Sequence, residues 1–165
     1  MSRLPDRFDL LVRKVREGDF TPDRQIDFLL AAFFTLKEAH LINAADEVSP
    51  LPTFLELDEA VLMPVFTSAD QADTYTSERG QRGDHDDLCL ISMPPAIVLD
   101  YAESFISYGC KDWFINPGPF GFIISLQEAQ AYQQQKNKVG QRPDIGFWIP
   151  NLTSQEEAFW EDNGL

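Results

Sequence analysis

The chain of 165 residues predicts a single α/β domain, with α+β as its near variant: a mixed β-sheet of about five or six strands flanked by helices. Three observations predict it. Segments of helical and strand periodicity alternate along the chain, most regularly between Ala60 and Ile115. Boxes of the form Ser/Thr-x-x-Glu/Gln mark helix starts at Ser68, Ser125 and Thr153. Hydrophobic residues make up 44% of the chain and aromatic residues 12%, with 13 Phe and 3 Trp. A chain of this size and composition fills a core without disulfide or metal staples, and it is not disordered as a whole.

The elements follow in order. Phe8, Leu11, Val12 and Val15 recur at helical spacing, so Arg7 to Glu17 reads as an amphipathic helix that Gly18 stops. Thr21 serves as the next N-cap, with Pro22 at the first helical position, where a missing N–H costs nothing. That helix presents Ile26, Leu29, Leu30, Phe33 and Phe34 and is expected to reach about Ala39. His40 to Asn43 reads as a weak strand. Thr53 to Leu57 and Ala60 to Phe66 read as a hairpin turning at Asp58-Glu59, with Pro64 marking an edge or a bulge.

The box at Ser68 opens a helix from Ala69 to about Glu78, and the polar run Arg79 to Asp87 is a loop. Leu88 to Ser92 is a short strand. Pro94 and Pro95 open a helix with Ile97, Val98, Tyr101, Ala102, Phe105 and Ile106 on one face, closed by Gly109. Trp113 to Ile115 and Phe122 to Ile124 form strands around a turn at 116–121, and the box at Ser125 opens a helix to about Gln135. The strand–helix–strand–helix–strand order from Ala60 to Ile115 predicts parallel pairing through crossovers. Residues 1–138 are therefore taken as the domain with a leading helical pair. Residues 139–165 are taken as an aromatic and acidic C-terminal arm, with Ile145 to Ile149 as a short strand and an acidic helix after Thr153.

Charge bounds the partners. Asp and Glu number 27 against 13 Lys and Arg, a net charge of −14 that repels nucleic acid and anionic lipid at long range. The same balance serves solubility or a basic protein partner. Met1 to Leu11 lacks an apolar stretch of signal-peptide length, and the longest apolar window, Phe28 to Leu36, is too short to span a bilayer. A cytoplasmic location with no membrane partner is the expectation. Cys89 and Cys110 form no metal or redox motif. Cys89 reads as a small buried hydrophobe, and a bridge between the two is not favoured.

Four groups of residues are candidate sites. Asn116-Pro117-Gly118 lies between two apolar strands. It reads either as a structural turn or as a loop presenting backbone N–H groups and the Asn116 amide to a small molecule. Phe66-Thr67-Ser68 ends a strand and caps a helix. Its alternative role is anion binding at that helix N-terminus, which Asp70 disfavours. Asp84-His85-Asp86-Asp87 is a solvated acidic loop or, as the alternative, the metal site of a metal-dependent enzyme; it lacks the order of a calcium loop. Phe147, Trp148, Phe159 and Trp160 cover the core in cis or anchor an interface with a partner or a second copy.

With two histidines and no nucleophile–base pattern, no catalytic residue, metal or cofactor is assigned. The expected function is a non-catalytic interaction or regulatory module. The alternative is a small-molecule binder at the strand ends near Asn116 and Thr67.

Two segments carry a family resemblance. Leu62-Met-Pro-Val-Phe-Thr-Ser68 and Phe114-Ile-Asn-Pro-Gly118, separated by two helices and a strand, resemble motifs of the N-terminal domain of the SseB family, bacterial proteins named for enhanced serine sensitivity. The likeness covers Arg24 to Leu126, about two thirds of the chain, with the helix from Gln25 to Ala39 matching the family's opening. This chain has Asp58-Glu59 where the family usually turns at Asp-Gly, and an individual tail where longer members have a second domain. The resemblance implies an α/β domain of the bacterial cytosol with interaction roles and no established reaction. It marks Phe66, Thr67, Ser68, Asn116, Pro117 and Gly118 as a shared surface or a shared fold element.

Overall fold

The computed structural model describes residues 7–18, 20–44, 51–79, 89–139 and 158. These residues form a mixed α/β domain of five α-helices, one 3-10 turn and six strands. The leading helices are α1 (Arg7–Glu17) and α2 (Pro22–Phe34). Thr21 caps α2 as anticipated, its side chain accepting from the Arg24 N–H, and Pro22 stands at the first helical position. The helix stops five residues earlier than its periodicity suggests. The Thr35 N–H turns back to the Ala32 and Phe33 carbonyls, and the chain re-enters an extended path at β1 (Ala39–Ile42).

β2 (Leu55–Leu57) and β3 (Ala60–Val65) form the expected hairpin, with Asp58 and Glu59 both at positive φ, 48° and 67°. That is the turn whose twist matches paired strands. β3 lies between β2 and β5 (Cys110–Ile115), parallel to β5, and β6 (Phe122–Ser125) completes an antiparallel pair with β5. The order is β2-β3-β5-β6.

Pro64 sits in this central strand, not at an edge. Alternation along β3 turns its missing N–H toward the side on which β2 pairs no further than Leu62 and β1 meets β3 only beyond it, at Phe66. The proline falls in the gap between two partners. A register shift between Val61 and Leu62 supplies the bulge that Pro64 had suggested nearby.

One topological expectation is corrected. Of the strands from Ala60 to Ile115, β3 and β5 pair in parallel as expected, but β4 (Leu90–Met93) joins neither of them. It pairs antiparallel with β1, Ile42 opposite Leu90 and Ala39 opposite Met93. The two-stranded unit joins the four-stranded sheet where His40 and Phe66 exchange backbone hydrogen bonds of 2.9 and 2.8 Å.

Two apolar clusters use the two faces of β3. Met63 and Val65 join Trp113, Ile115 and Ile124 against α1, α2, α4 (Pro95–Glu103) and α5 (Leu126–Val139), with Phe33 5.3 Å from Trp113 between ring centroids. Phe66 faces the other way, onto Ala72 and Tyr75 of α3 (Ala69–Glu78) and Ile42 of β1. In α4 the buried stripe is Val98, Leu99 and Ala102, while Ile97 is exposed. α4 ends at Glu103, a 3-10 turn follows at Ile106–Tyr108, and Gly109 at φ +95° redirects the chain into β5. No helix of the described residues is long and apolar enough to cross a membrane.

Candidate interaction site

The fold brings Phe66, Thr67, Ser68 and Asn116 together at one corner of the sheet. Asn116 ends β5 at φ +48°, a conformation asparagine tolerates better than most side chains. Its backbone N–H donates to the Val65 carbonyl at 2.8 Å. Its Oδ1 accepts the Thr67 N–H at 3.0 Å, and its Nδ2 donates to Thr67 Oγ1 at 2.9 Å. Ser68 Oγ accepts the Gln71 N–H at 3.2 Å as the N-cap of α3. Phe66 is buried in the smaller cluster.

The rest of the β5–β6 turn is held as firmly. Arg16 of α1 donates Nη1 to the Pro119 carbonyl at 2.9 Å and Nη2 to the Gly121 carbonyl. A Cβ on Gly121 would stand 2.6 Å from the Asn116 carbonyl oxygen, so glycine is required there for close approach. Pro117 is half-buried and Gly118 exposed at φ +147°. Beneath the corner the buried Asp9 carboxylate of α1 accepts from Gln71 Nε2 at 2.9 Å. The Asn116 amide and the Thr67 N–H and hydroxyl are thus engaged with one another, while Asp9–Gln71 and Arg16 tie α1 to α3 and to the β5–β6 turn.

A second place on the molecule is open. β2 is the edge of the four-stranded sheet. Leu55 and Leu57 turn their backbone groups to β3, so alternation directs those of Phe54 and Glu56 away from it, where no described residue pairs with them. Beside this edge lies an apolar groove of about 360 Å³ lined by Leu51, Phe54, Val61, Phe105, Tyr108 and Cys110. Its aromatic wall is continuous: Phe54 meets Phe105 at 5.3 Å, and Phe105 meets Tyr108 at 6.5 Å. Large apolar side chains stand in water here, Leu51 at 46% exposure, Phe54 at 39%, Leu57 at 43% and Tyr108 at 81%.

Sequence reasoning passed over this groove. Its residues come from the chain leading into β2, from β3, from the 3-10 turn and the residue before it, and from the start of β5, and none belongs to a motif. The available signal was the excess of apolar residues in Leu51 to Leu57, more than a three-residue edge strand needs.

The chemistry of the groove is inert. Burial pushes the Cys110 thiol up from its ordinary range, its bond to the Asp112 carbonyl works more weakly against this and the Asp112 charge adds to it, so it is a poor nucleophile at neutral pH. Both cysteines are free, and Cys89 is half-buried rather than buried, accepting from Asn43 Nδ2 at 3.5 Å. Among the described residues no three or more His, Cys, Asp or Glu side chains gather to hold a metal ion. The Asp84–Asp87 cluster and the aromatic candidates Phe147, Trp148, Phe159 and Trp160 lie outside the described residues.

The chain matches no protein-family model and no curated protein sequence. The segments Leu62 to Ser68 and Phe114 to Gly118 meet at the corner formed by Thr67 and Asn116.

Proposed function

We propose that this chain is a non-catalytic, SseB-like interaction module of the cytoplasm, and that its working surface is the β2 edge with the adjoining groove. The observation that carries the reading is the coincidence of two features. A strand edge without a pairing partner among the described residues offers directional backbone hydrogen bonds, and an aromatic groove directly beside it offers pockets for side chains. Either feature alone is commonplace, whereas together they are the two components of peptide recognition by strand addition. Small-molecule binding near Asn116 and Thr67 draws less support, because the side-chain amide and hydroxyl there bond each other.

The reading is tested by selecting peptides from a random display library on the immobilised full chain. Peptides that bind the native chain and lose at least tenfold in affinity on Tyr108→Asp support it, since that side chain is exposed and its replacement spares the core. Enrichment of nothing, or of peptides indifferent to Tyr108→Asp, would overturn it.

A further inference from the structure

The walls of the groove are apolar, but its surroundings are not. Between Leu51 and Val61, and between Glu103 and Asp112, the chain carries the acids Glu56, Asp58, Glu59, Glu103 and Asp112 and one base, Lys111. Glu56, Asp58, Glu59 and Glu103 are exposed. Asp58 and Glu59 occupy the two left-handed positions of the hairpin turn, where Asn-Gly is the preferred pair and a glutamate is strained. Residues that violate a local preference tend to cluster where function requires them. Here the strained choice places two carboxylates at the end of the open strand.

From these features, and resting on the proposed interaction reading, we infer that the partner is an extended segment of another protein that carries both basic and apolar residues. It adds as a fifth strand alongside β2. Its backbone pairs with the outward N–H and C=O groups of Phe54 and Glu56. Apolar side chains on its groove face enter the groove between Phe54 and Tyr108. Its Lys or Arg side chains lie nearer the turn, where Glu56 shares the groove face with Val61 and Asp58-Glu59 close the strand end. Charge also disfavours a second copy as the occupant. Edge-to-edge pairing across a two-fold axis would set this acidic hairpin against its own twin, between chains of net charge −14 each.

The probes are the peptides selected above, compared on the native full chain and on Glu56→Gln and Glu56→Pro. The Glu56 N–H faces away from β3, so the proline removes a partner's hydrogen bond without removing one of the β2–β3 ladder. The glutamine removes the charge alone. The expected result is selected sequences that combine basic and apolar residues, with severalfold weaker binding at 300 than at 50 mM NaCl. Loss on Glu56→Pro should exceed that on Glu56→Gln by about tenfold, the worth of roughly one hydrogen bond to the backbone.

Should Glu56→Pro lower the stability of the chain, peptides N-methylated at alternate residues make the same comparison on the native protein, with a similar loss expected in one methylation register. Peptides that need Tyr108 but are acidic, helical or indifferent to backbone methylation would overturn this inference and leave the interaction reading standing. A concentration-dependent dimer that Tyr108→Asp dissolves would overturn it in favour of a second copy.

Discussion

At Asn116 one side chain does three jobs. It tolerates positive φ, it satisfies the Thr67 N–H, and it donates to the Thr67 hydroxyl. These jobs can be separated by substitution. Asn116→Gly keeps the backbone conformation and loses the two side-chain hydrogen bonds, which predicts a cost of about 1–3 kcal/mol for the buried groups left unpaired. Asn116→Ala loses the same bonds and adds about 1–2 kcal/mol of left-handed strain. Denaturant unfolding should therefore rank native above Gly above Ala. Equal stability of Gly and Ala would mean that the left-handed geometry contributes nothing. The turn was legible in the sequence, because Asn, Pro and Gly each restrict or permit φ locally. The partner was not, because Thr67 lies 49 residues away and nothing in either segment names the other. Arg16, which reaches more than a hundred residues along the chain to the carbonyls of Pro119 and Gly121, was illegible for the same reason.

Among the elements, those fixed by neighbouring residues were readable and those fixed by distant ones were not. The box at Ser125 is realised reciprocally: the Glu128 N–H donates to Ser125 Oγ at 3.1 Å and the Ser125 N–H to Glu128 Oε2 at 3.0 Å. Thr21 and Ser68 cap as read. β4 was placed wrongly because alternation of helices and strands carries no information about which edge a short strand will choose, and β1 offered it an antiparallel edge. The open face of α4 was misread at Ile97 because its apolar residues exceed the width of one buried stripe.

The β2–β3 hairpin gives the sharpest test at this scale. Asp58→Asn with Glu59→Gly installs the preferred pair for two left-handed positions, and it should stabilise the chain by about 1–2 kcal/mol through relief of strain alone. The same double variant removes two carboxylates from the end of the open strand. A chain that becomes more stable while losing affinity for basic peptides would show that the turn is held away from its folding optimum by its role. A stability unchanged or lowered would show that the turn stores no strain to relieve.

For the molecule as a whole, the most pronounced electrostatic property is a net charge of −14 on a small domain. The pairs Arg13–Glu17 and Arg24–Asp27 lie within single helices, so screening each costs only a few tenths of a kcal/mol. Self-repulsion is the larger effect, and salt removes it. Raising NaCl from 20 to 300 mM shortens the Debye length from about 20 to about 6 Å. It should raise the unfolding midpoint by about 2–4 °C, corresponding to roughly 1 kcal/mol for a domain of this size. Acidification is a poorer probe. Burial lowers the pKa of His40 from 6.5 against a weaker pull from Glu38, so the neutral ring is the folded form. Its contribution is present above pH 6.5 and fades as the pH falls, a loss opposite in sign to the relief of repulsion that acidification brings once carboxylates protonate. Salt carries no such cancellation, and it links the fold to the proposed site. The added NaCl that stabilises the free chain should weaken its hold on a basic strand, two responses of opposite sign from one charge distribution. A midpoint that falls with salt would place the balance of charge interactions on the attractive side and remove the premise that this surface awaits a cation-rich partner.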